Sequence, residues 1–113
     1  MKSIPEILSE TGPIVKVVIL KIDGTQEEST FDMTPMMNTL GKYLNDSVTF
    51  IGQYEEKQVV ITKGLSNNLS ENKNRLPPPF HNEKHHGDIV LIRMDDDATP
   101  EDFTLDEYKS MIS

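Results

Sequence analysis

The run Ile14-Val15-Lys16-Val17-Val18-Ile19-Leu20-Lys21-Ile22, ended by Asp23-Gly24, sets the terms on which this chain can fold. β-Branched residues dominate it and fit the pleated, half-buried geometry of a strand. Successive strand side chains point to opposite faces. One face here carries Ile14, Val18, Leu20 and Ile22, and the other Val15, Val17 and Ile19. A strand apolar on both sides is covered on both sides, which makes it central. Val15, Val17, Val18, Ile19 and Leu20 are therefore expected at the middle of the core.

At 113 residues the chain has room for one modest core, and no linker divides it, so the expectation is a single domain over 1–113. Apolar runs reach four or five residues, against about 20 for a membrane-spanning helix. No basic segment precedes an apolar one at Met1, so no secretory leader is read. The chain has no cysteine, which excludes disulfides, a thiol nucleophile and thiolate metal ligands. Eleven basic and 19 acidic residues give a net charge of −8, which argues against direct nucleic-acid binding. The expected setting is intracellular, cytoplasmic or nuclear, away from membranes.

Around the apolar strand the signals alternate. Ser3-Ile4-Pro5-Glu6 has capping-box spacing for a short first helix, stopped by Gly12-Pro13. Thr34-Pro35 starts a second helix, with Met36, Leu40, Tyr43 and Leu44 on one face and Asn45-Asp46 at its end. Val48–Tyr54 and Gln58–Thr62 read as a hairpin joined by Glu55-Glu56-Lys57. Gly52 within it marks a bulge or a close approach. Asp88–Met94 is another strand, and Thr104-Leu105-Asp106-Glu107 is a capping box with Phe103 and Tyr108 at the staple positions. The resulting order, α-β-α-β-β-β-α, predicts an α+β fold: a four-stranded mixed or antiparallel sheet with helices packed on it.

Residues 63–87 have no periodicity. They hold four basic and two acidic residues, net +2, and all three histidines. Compact domains rarely contain so long a loop unless it is functional or disordered.

The run Gly87–Asp95, with Asp102-Phe103-Thr104-Leu105-Asp106-Glu107-Tyr108, Phe50-Ile51-Gly52-Gln53 and Leu76-Pro77-Pro78-Pro79-Phe80, resembles an uncharacterised family of small acidic proteins from algae, protists and large DNA viruses. The resemblance covers roughly residues 14–112. It implies one compact domain, and no activity or catalytic residue.

Three clusters carry possible chemistry. His81, His85 and His86, with Glu83 between them and a carboxylate from Asp95–Asp97, form the alternative of a small metal-binding protein or enzyme, since zinc accepts N and O ligands. Pro77–Pro79 before the histidines and Gly87 after them oppose the helix that would align the ligands. Asp95-Asp96-Asp97 lacks the glycine and spaced glutamate of a calcium loop and reads as a charged turn. Leu76-Pro77-Pro78-Pro79-Phe80 pre-orders a polyproline segment with an apolar anchor at each end.

No phosphate loop, nucleophile elbow or triad stands out, and no cofactor is implied. The reading is of a non-catalytic protein-interaction domain that binds a protein partner or a second copy of itself, through Arg75, Leu76, Pro78 and Phe80. A further alternative is an acidic mimic that blocks a nucleic-acid-binding surface on another protein.

Overall fold

The computed structural model of the chain describes residues 12–34, 38–66, 69–97 and 99–112. Along them run β1 (Ile14–Leu20), β2 (Gln26–Asp32), α1 (Thr39–Leu44), β3 (Val48–Tyr54), a 3-10 turn (Glu55–Lys57), β4 (Val59–Gly64), β5 (Ile89–Met94), β6 (Pro100–Glu101) and α2 (Leu105–Ile112). The strands form one sheet in the order β2-β1-β5-β4-β3, with the short β6 paired to the far end of β5. Every pairing is antiparallel.

This corrects the α+β expectation. The sheet has six strands rather than four, and the fold is mainly β. The strands left out are the two-residue β6 and β2, the latter Gln-Glu-Glu-Ser-Thr-Phe-Asp, in which only Phe31 is buried. β2 lies at a sheet edge with one neighbour, β1, so little apolar alternation is needed to hold it. The Asp23-Gly24 pair that ends the apolar run lies in the turn joining β1 to β2. Gly24 takes the left-handed backbone (φ +97°), and Asp23 Oδ1 accepts bonds from the Thr25 backbone N–H (2.9 Å) and hydroxyl (2.6 Å).

β1 lies between β2 and β5 and is buried on both faces. Val18 and Leu20 join Val59, Ile61, Ile89, Leu91, Phe103 and Tyr108 in one core cluster. Val15, Val17 and Ile19 join Phe31, Val90 and Ile92 in the other. α2 supplies Tyr108, Leu105 and Met111 to the first cluster, and α1 supplies Leu40, Tyr43 and Leu44 to the second.

The helix read from Ser3 falls outside the described residues. So do 35–37, and the described part of the second helix starts at Thr39 rather than at Pro35. α2 begins as its spacing predicts: the Glu107 N–H donates to Thr104 Oγ1 (3.2 Å), and Phe103 and Tyr108 are both buried. Arg93 fastens α2 to β5. Its guanidinium pairs with Glu107, donates to the Lys57 and Asp102 carbonyls (3.1 and 3.0 Å), and lies 5.2 Å from the centre of the Phe103 ring. Asp95 closes the acidic turn by accepting the backbone N–H groups of Asp97 and Thr99, both at 2.9 Å.

Candidate functional site

β4 and β5 are adjacent antiparallel strands, a pair that a hairpin loop of about two to five residues can join. The chain instead spends residues 65–88 on the connection. The described part of this connection forms a strap whose Leu76 and Phe80 pack in the core cluster that α2 also joins.

The two ends of the strap pair with each other. Glu71 and His86 form an antiparallel bridge, the Asn72 N–H donates to the His85 carbonyl (2.8 Å), and the Gly87 N–H to the Ser70 carbonyl (2.9 Å). Between those limbs the strap is pinned at three places. Asn72, 6% exposed, donates from Nδ2 to the Leu20 and Gly87 carbonyls (2.7 and 2.9 Å) and accepts the Asn74 N–H on Oδ1 (2.8 Å). Asn74 Nδ2 donates to the Lys21 carbonyl (2.9 Å), which ties the strap to the β1–β2 turn. At the other side of the sheet, the Tyr54 hydroxyl donates to the Pro77 carbonyl (2.8 Å) and Phe80 packs edge-on against the Tyr54 ring, 5.4 Å between centres.

Gly52 makes room for Phe80. A Cβ at residue 52 would come within 2.5 Å of the Phe80 ring. The strand also shifts register between Phe50 and Gly52, so the bulge and the close approach occur together. Burial pushes the Tyr54 phenol well above its ordinary range, which keeps it a hydrogen-bond donor.

The four residues read as a contact set do not share one surface. Leu76 is 2% exposed and belongs to the core beneath the strap. Phe80 is half-buried against that core, while Arg75 and Pro78 are exposed. The proline run is bent rather than rod-like: the Phe80 N–H donates to the Pro77 carbonyl (3.2 Å), and the Glu83 N–H to the Phe80 carbonyl (3.2 Å). Pro77–Pro79 line an open groove of about 420 Å³ with Tyr54 and Met111.

The histidines and the acidic turn are held apart. His86 precedes β5 and Asp95 follows it, and six extended residues span about 20 Å. Among the described residues no group of three or more His, Cys, Asp or Glu side chains is placed to hold a metal ion. His86 Nδ1 lies 3.0 Å from the Leu69 carbonyl, and His85 Nε2 is 3.5 Å from a Glu83 oxygen without hydrogen-bond geometry. Burial is the main cause that lowers the His85 pKa.

On the solvent side of the limbs is a cleft of about 520 Å³, lined by Lys73, Arg75, Lys84 and His81 and by the carboxylates of Glu71 and Glu83. Asn72 and Asn74, which build its floor by holding the first limb in place, were not singled out from the sequence. The cue was a run of asparagines inside a loop, since such side chains often hydrogen-bond nearby backbone.

A family model described as a family of unknown function, DUF5880, matches residues 18–111. The chain belongs to this family. The match runs from within β1 into α2 and takes in the whole strap. No curated protein and no solved structure matches the chain. Among the described residues no helix is long and apolar enough to cross a membrane.

Proposed function

We propose that this protein is a non-catalytic interaction module whose partner surface is the strap, and that the partner meets it with an acidic segment. One observation carries the reading: a connection far longer than its two strands require is fixed in place by its own side chains and leaves Arg75 and Pro78 exposed. Binding loops work from rigid scaffolds, and a contact surface already ordered avoids the entropy cost of ordering on association. Leu76 acts from beneath, as the anchor that keeps Arg75 and Pro78 in position. Residues 63–87 are net +2 on a chain of net −8, so the partner best tolerated there is acidic and is steered to it by charge.

Removing the strap would strip Leu76 and Asn72 from the interior, so the test uses surface changes. Partner capture from native cells is compared for the wild type, for Arg75→Glu with Pro78→Asp, and for Lys42→Glu with Lys109→Glu as the control. A partner held by the wild type and the control but released by the strap variant is the expected outcome. Equal capture by all three would place the contact elsewhere and overturn the reading.

A further inference from the structure

We propose that the cleft between the limbs of the strap is a phosphate-recognition site that receives a phosphorylated side chain of the protein partner. The inference rests on the interaction reading above and names the chemistry at its centre.

Lys73, Arg75 and Lys84 all line this one cleft, and none of the three side chains makes an ion pair or hydrogen bond among the described residues. Among the described residues Lys21 pairs with Glu27 and Arg93 with Glu107, while Lys16, Lys42, Lys57 and Lys109 are unpaired too, so what sets these three apart is that they converge on one cleft. His81 lines the cleft as well, and its Nδ1 is buried with no hydrogen-bond partner. That atom has no surface open to the cleft, so His81 forms part of the wall and the three cations receive the ligand. The Asn72 and Asn74 amides are committed to the backbone, so they shape the cleft and leave its charge to the cations.

Three cations in one cleft suit a phosphomonoester better than a carboxylate. A phosphorylated Ser or Thr carries about −1.5 to −2 charge and three strong acceptor oxygens, enough to engage three separately mounted cations. Glu71 and Glu83 in the same lining repel every anion, so only one that meets the cations directly is held, which restricts its orientation. A long nucleic acid would bring many further phosphates against a chain of net −8. A single phosphorylated side chain brings its charge only to the cleft.

The test is an NMR titration of the intact protein with a short Gly/Ser peptide carrying one phosphoserine. Parallel arms use the same peptide unphosphorylated, inorganic phosphate, ADP and a single-stranded oligonucleotide. Amide shifts should centre on residues 71–75 and 81–84, and the phosphopeptide should bind at least about tenfold tighter than its unphosphorylated form. Lys73→Ala with Arg75→Ala and Lys84→Ala should lose that preference at an unchanged melting temperature, and Lys73→Arg with Lys84→Arg should keep it.

Equal binding of both peptides, or a preference that survives the triple substitution, overturns the proposal. Tighter binding of ADP or inorganic phosphate than of the phosphopeptide overturns the partner as the source, as does tighter binding of the oligonucleotide. If the phosphopeptide fails while the strap variant still releases a captured partner, this inference falls and the interaction module stands. If the captured partner ignores the strap, both fall.

Discussion

β1 and the strap cross the same sheet and are held there by opposite means. In β1, Val15, Val17, Val18, Ile19 and Leu20 are all within 4% of full burial, and the strand is kept by apolar surface withdrawn from water. The strap buries Leu76 and half-buries Phe80 against Tyr54, and is otherwise kept by donors and acceptors aimed at specific carbonyls and amides. A non-directional force tolerates many similar side chains. A directional one depends on a particular amide at a particular residue. The two regions should therefore fail differently when altered.

The largest effect belongs to β1. Val18 and Leu20 have no exposed surface and lie in the cluster shared with β4, β5 and α2. Truncating Leu20 to alanine should cost about 2–5 kcal/mol in urea unfolding, with Val18→Ala toward the lower end. Losses under about half a kcal/mol at both would show that β1 does not bear the core, and the contrast with the strap would collapse.

Asn72 comes next, and it tests the strap on its own terms. Asn72→Ala leaves the Leu20 and Gly87 carbonyls without this donor inside the protein, a loss of about 1–3 kcal/mol. Asn72→Asp is nearly the same size and should be worse, because it turns a carboxylate oxygen toward two carbonyls. Hydrogen exchange would locate the damage. Faster exchange at Asn74 and Gly87, with β1 amides unchanged, is the expected pattern. A uniform rise across the sheet would mean that the strap and β1 are one cooperative unit.

The same division explains how much could be read from the chain. Two-sided burial leaves a periodic trace, so β1 and β5 are legible in Ile14–Ile22 and Asp88–Met94. The Gly52 bulge and the Thr104 capping box are legible because each rests on a residue whose backbone or side chain does one local job. β2 is not, since an edge strand with Phe31 as its buried residue has almost no apolar pattern to show. The strap's order is least visible of all. Asn72 reaches Leu20 across more than fifty residues of sequence, and Asn74 reaches Lys21 likewise. Their identity as asparagines signals a turn, and nothing local signals the partner. The division of the 75–80 segment into an inward Leu76 and an outward Arg75 and Pro78 likewise depends on what lies beneath it.

The smallest effect is a dependence on pH that only the strap should show. Burial lowers the His85 pKa first, Lys63 and His86 add to the lowering, and Glu83 offsets part of it. The folded chain therefore holds the neutral ring. Above the ordinary histidine value of about 6.5, folded and unfolded states both carry it neutral and stability is complete. As pH falls below that value the unfolded chain takes up the proton first, so stability declines until the pH passes the lower folded value, and then levels. Carboxylates held low by their partners, such as Glu107 beside Arg93, lose their contribution only in the more acidic range below about 4.5, which keeps the two effects apart. Urea midpoints measured at steps from about pH 7.5 to 5 should fall, and His85→Gln should flatten that part of the curve. Because the His85 carbonyl accepts the Asn72 N–H, acidification should also speed exchange at Asn72 before it touches β1. A curve equally steep in His85→Gln would assign the slope to other groups, and the strap would then be as indifferent to pH in this range as the strand beneath it.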